Sequence, residues 1–108
     1  MGCKCKEITN ADVISKIDDI RKPFTEFKVS SDEVIRVFDS KYPDHLFKWH
    51  FDEEDRTVEI LHETDWKFQF DNEIPMSLTP GLIIKIDKDI YHRIVKGTNL
   101  LITKIKFF

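Results

Sequence analysis

The sequence predicts a small, mainly β protein: an antiparallel barrel or sandwich with two short helices packed on its outside. Three observations lead there. The hydrophobic period changes near Pro43, from helical spacing before it to alternation after it. The alternating half breaks into strand-length runs joined by short polar links, the pattern of hairpins rather than of crossover helices. The order is helices first and strands after, which excludes a βαβ arrangement.

In the first part, Thr9 or Asn10 caps a helix whose stripe is Val13, Ile14, Ile17 and Ile20, and Pro23 ends it. Ser30-Ser31-Asp32-Glu33 has the spacing of a capping box, with Val34, Ile35, Val37 and Phe38 as the apolar face of a second helix that stops at Tyr42-Pro43. Both are too short to stand alone and must lie on something. After Pro43 the expected strands are Leu46–Phe51, Arg56–His62, Trp66–Asp71, Ile74–Leu78, Leu82–Ile86, Tyr91–Val95 and Asn99–Phe107. Pro80-Gly81, Asp87-Lys88-Asp89 and Lys96-Gly97-Thr98 are among the turns between them. The expected organisation is one domain over 1–108, with 1–43 a helical segment packed on a barrel formed by 44–108. Its core should contain Trp66, Phe68, Phe70, Ile84, Ile86 and Ile94.

Length and composition narrow the function. A chain of 108 residues supports one core, and a hydrophobic content of 41% with nine Phe supplies it. A net charge of −3 with both signs interspersed gives no basic stripe for nucleic acid. No run reaches membrane-spanning length, and the start of the chain has no apolar signal stretch, so a cytoplasmic location is expected. Cys3 and Cys5 lie too close together for an unstrained disulfide and read as two reduced thiols.

Strand alternation sorts the polar side chains. Lys48 and His50 share one face of their strand; Arg56, Val58, Ile60 and His62 share one face of the next. His92, between Ile90 and Ile94, points with the buried face, where a titratable ring needs a partner, a ligand or a metal. His45 reads as a surface loop residue, His62 as a solvated strand end, and Asp52–Asp55 as a solvated hairpin tip.

The half from His45 to Phe107 resembles the cupins, small double-stranded β-helix barrels of jelly-roll type. Their second motif is Gly, five residues, usually Pro, then Gly, two residues and His. Gly81, Asp87, Asp89 and His92 fall into that spacing, with Asp87 and Asp89 in place of Pro and Gly. The first motif, His-x-His, three or four residues, Glu, six residues and Gly, is degenerate here: Lys48-Trp49-His50, then Asp55 or Arg56, then Glu63. Trp49-His50, Asp55-Arg56 and the run from Trp66 to Glu73 are also similar to small phage-encoded cupin-like proteins.

The resemblance implies a site inside the barrel. In one register His50, Asp55 and His92 hold a divalent iron, manganese, nickel or zinc ion, as in a metal-dependent oxygenase or isomerase. In the other, Arg56 faces inward, and Lys48, His50, Arg56 and His92 form a metal-free pocket for a small polar or anionic ligand. The second register is the one expected. A third reading is a protein-interaction or inhibitor domain without chemistry. The resemblance also implies a homodimer.

Overall fold

The computed structural model describes residues 22–108, so the helix expected around Val13–Ile20 lies outside the described residues. Among the described residues the regular structure is antiparallel β apart from one 3-10 turn. Eight strands follow in chain order: β1 (Phe24–Lys28), β2 (Glu33–Asp39), β3 (Arg56–Ile60), β4 (Lys67–Phe70), β5 (Met76–Ser77), β6 (Ile83–Ile86), β7 (His92–Val95) and β8 (Leu100–Phe107). One sheet has the order β1-β2-β8-β3-β6 and the other β5-β4-β7. Among the described residues no helix is long and apolar enough to cross a membrane.

The second expected helix is a correction. Phe24–Lys28 and Glu33–Asp39 form an antiparallel hairpin, with Phe24 opposite Phe38 and Lys28 opposite Val34. The residues read as a capping box close its turn instead. Val29 N–H and Ser30 N–H both donate to Glu33 O, and the Ser30 hydroxyl donates to Asp32 Oδ1 at 2.9 Å. Short polar side chains serve a turn as readily as a helix start. The β-branched residues Val34, Ile35 and Val37 favour the strand once β8 offers a seven-residue ladder to β2.

From Arg56 onward the expected strands are present with trimmed ends. The expected strand Leu46–Phe51 is not: a 3-10 turn covers Asp44–Leu46 after Pro43, and an irregular extended run follows. Phe47 turns in to meet Trp66 edge-on at 5.2 Å, whereas Trp49 and Phe51 stay exposed, so the pleat breaks between them. Only His50 pairs here, through an antiparallel bridge to His92.

The core lies between the two sheets. Phe38, Ile60, Ile84, Ile86 and Leu101 come from the larger sheet and meet Phe68, Trp66 and Leu78. Phe70 and Ile94 pack on this cluster from its margin and are only partly buried. Trp66 is 1% exposed, and its indole N–H donates to Asn99 O at 2.7 Å, which removes the cost of burying that donor. Gly97 closes against this corner: a Cβ there would collide with Asp65 Oδ1 and sit 2.8 Å from Trp66 N. Gly97→Ala is therefore expected to destabilise the fold by roughly 1–3 kcal/mol, the usual range for overpacking. Denaturant unfolding measures it, and an unchanged midpoint would mean that the Asp65 loop yields freely.

Candidate metal centre

The site starts from the backbone bridge. His50 N–H donates to His92 O at 3.0 Å, and His92 N–H donates to His50 O at 2.9 Å. Residues paired this way project their side chains to the same face, side by side. The two imidazoles accordingly lie 4.4 Å apart between centroids. His92 is 3% exposed and stacks on Phe68, while the His50 side chain is 47% exposed at the rim.

Each ring is oriented by the carbonyl two residues before it. His50 Nδ1 lies 3.0 Å from Lys48 O, and His92 Nδ1 lies 2.8 Å from Ile90 O. A carbonyl oxygen only accepts, so Nδ1 carries the proton in both rings. In the neutral imidazole Nε2 then bears a free lone pair. Both Nε2 atoms face the carboxylate of Asp52, at 3.3 Å from His92 and 3.9 Å from His50. The His92 contact lacks hydrogen-bond alignment, and Asp52 Oδ2 is buried with no hydrogen-bond partner among the described residues.

Burial raises the Asp52 pKa, but contact with His92 and the charges of Arg56, His92 and His50 together outweigh it and hold the carboxyl below its usual range. Asp52 is thus an anion, and where the two rings are neutral it faces their Nε2 lone pairs. In that state the three acceptors share no hydrogen, and either a proton on His92 Nε2, 3.3 Å from Asp52, or a cation among all three relieves them. One proton can serve only one of the two rings, and two imidazolium rings at this spacing would repel. The ligand atoms of His50, Asp52 and His92 all lie within 4.8 Å of one another, and two imidazoles with one carboxylate are a donor set for a divalent transition metal. The residues present therefore fit such an ion. The Nδ1–carbonyl bonds are the support that orients metal-binding histidines.

The carboxylate of this cluster is Asp52; Asp55 stands outside it. Asp55 Oδ1 accepts from Lys88 N–H at 2.8 Å, and Asp52 O accepts from Asp89 N–H at 2.8 Å, so the acidic segment clamps the β6–β7 turn. Arg56 faces inward, 12% exposed, with Nε 3.4 Å from Asp52 Oδ2 and Nη2 2.9 Å from Glu54 Oε1. Lys48 is exposed at the cavity rim, where its carbonyl rather than its ammonium serves His50. His45 and His62 are exposed and take no part.

In the sequence Asp52 reads as part of a solvated tip, because four consecutive acidic residues look like one. The signal was its i+2 spacing from His50, which puts both on one face of an extended chain. If His50 takes the first position of the degenerate motif, Asp52 takes the second and Arg56 follows at the position of the Glu.

Behind the cluster the barrel encloses a cavity of about 240 Å³. His50, Asp52, Arg56 and His92 line one part of it and Arg36 and Thr103 another, and the remainder of its wall is largely apolar, including Val58, Phe68, Ile84 and Ile105.

This architecture is that of the cupins. A cupin-2 domain protein from Shewanella frigidimarina superposes with a TM-score of 0.57 at 14% identity, over 94% of this chain and 97% of that one. The DMSP lyase DddQ from Ruegeria pomeroyi gives 0.59 at 15% identity over 91% of this chain, and HppE in its FeII form gives 0.54 at 12% over 70%. This chain spans only 49% and 41% of the length of those two. No protein-family model matches the sequence, and no curated protein does. At these identities the likeness establishes the cupin fold.

Proposed function

We propose that this chain is a metal-binding cupin-fold protein, with His50, Asp52 and His92 holding one divalent iron, manganese, nickel or zinc ion beside a cavity for a small organic molecule. The observation that carries the reading is the convergence of two Nε2 lone pairs and an unpartnered buried carboxylate. The iron form of HppE among the structural neighbours supports the same direction. Three protein donors leave further coordination positions open, and an ion there supplies Lewis-acid or redox chemistry to whatever the cavity holds. The chain itself contributes ring orientation through Lys48 O and Ile90 O, a stacked wall at Phe68, and an apolar enclosure.

The metal-free anion pocket expected from the sequence has one observation in its favour: Arg56 is a fixed cation 3.4 Å from Asp52. Elemental analysis after purification without chelator separates the two readings. The metal reading expects close to one transition-metal ion per chain, or its uptake with a rise in melting temperature when the stripped protein meets Fe2+, Mn2+, Ni2+ or Zn2+. Absence of both uptake and stabilisation would leave the anion pocket as the better account.

A further inference from the structure

Arg56 carries a donor that nothing among the described residues satisfies. Glu54 takes its Nη2, and the guanidinium lies over the Phe107 ring at 4.9 Å. Its Nε is buried and without a hydrogen bond, 3.4 Å from the equally unpartnered Asp52 Oδ2. A guanidinium keeps its charge throughout the accessible pH range. Asp52 therefore faces a permanent cation on one side and the His50–His92 pair on the other.

We propose that Arg56 is the anion anchor of the cavity and couples the binding of an aliphatic monocarboxylate to the binding of the metal ion. The inference rests on the metal reading above. An ion held by His50, Asp52 and His92 draws on one of the two carboxylates that compensate Arg56, so in the metal-bound protein the guanidinium keeps Glu54 and shares Asp52 with a second cation. A carboxylate entering the cavity beside the guanidinium supplies negative charge in its place. Within the cluster charge selects a monoanion: a divalent ion with Asp52, Glu54 and Arg56 leaves one net positive charge, and Lys48, at the exposed rim, is screened by solvent. Of the other two cations on the cavity wall, Arg36 is already held by Glu26 at 2.7 Å and Lys48 is exposed at the rim. The ligand's body is selected by the apolar wall, with Val58, Phe68, Ile84 and Ile105 available to an alkyl chain.

By linkage, the anion must tighten the metal by the factor that the metal tightens the anion. The test is calorimetric titration of the full chain with Co2+, alone and in saturating hexanoate. Wild type is expected to bind Co2+ roughly fivefold or more tightly in hexanoate, within the ordinary range of coupling between sites. Arg56→Met should bind Co2+ alone more tightly than wild type, because a repelling cation is gone, and should lose the hexanoate response. If Arg56→Met does not fold by circular dichroism, Arg56→Gln carries the same two expectations. Failure of Co2+ to bind wild type, or equal binding to Asp52→Asn, overturns the metal reading and the coupling with it. Binding through Asp52 that ignores hexanoate, or a hexanoate response that survives loss of Arg56, overturns the coupling alone.

Discussion

Asp52→Ala is expected to weaken binding of a divalent transition metal by roughly a hundredfold or more, since even residues that only orient metal ligands cost ten- to a hundredfold when removed. Asp55→Ala should leave that affinity within about twofold, because a group outside the coordinating set affects it only through position. The contrast follows from geometry. Asp52 places Oδ1 and Oδ2 against the two Nε2 atoms, whereas Asp55 places its carboxylate on Lys88 N–H. Loss of the Asp55 brace should appear instead as a less stable β6–β7 turn, where Asp89 holds a positive φ of 66°. Titration of the two variants with Zn2+ against wild type measures both. If Asp55→Ala abolishes binding and Asp52→Ala does not, the acidic segment is threaded differently from this structure.

The difference between these neighbouring acids shows where sequence reading stops. Strand phase was legible at Trp66 and Phe68 and at Ile84 and Ile86, all buried as alternation requires, but not at Phe47, Trp49 and Phe51, which alternate as cleanly and form no strand. It was legible for His92 because Ile94 follows it on the same strand. It failed for Glu33–Asp39, where Val34, Ile35, Val37 and Phe38 satisfy a helical stripe and a two-sided strand equally well. There the ladder with β8 decides, and that partner is sixty-odd residues away in the chain. The site was half legible for a related reason. His50 and His92 belong to spacings a barrel imposes, but Asp52 lies in an irregular segment whose direction is set by the bridge at His50 and by Asp89 N–H.

Phe68→Ala is expected to cost about 3–5 kcal/mol of folding stability, the range for deleting a ring from a packed core. Phe68 is 5% exposed, meets Phe70 edge-on at 4.9 Å, and stacks on His92 at 5.4 Å. Its ring therefore belongs both to the core and to the wall that fixes His92. The two roles separate in one experiment. His92 remains tied by its backbone bridge to His50 and by the Ile90 carbonyl, neither of which involves Phe68. Metal affinity of the folded variant should fall by about tenfold or less, the mild end of what losing an orienting neighbour costs. Denaturant unfolding with and without Zn2+ gives both numbers from one variant. A stability loss below about 1 kcal/mol would contradict a packed core at this position. Full stability loss with metal affinity abolished in the folded protein would show that stacking, not the backbone bridge, sets the His92 ring.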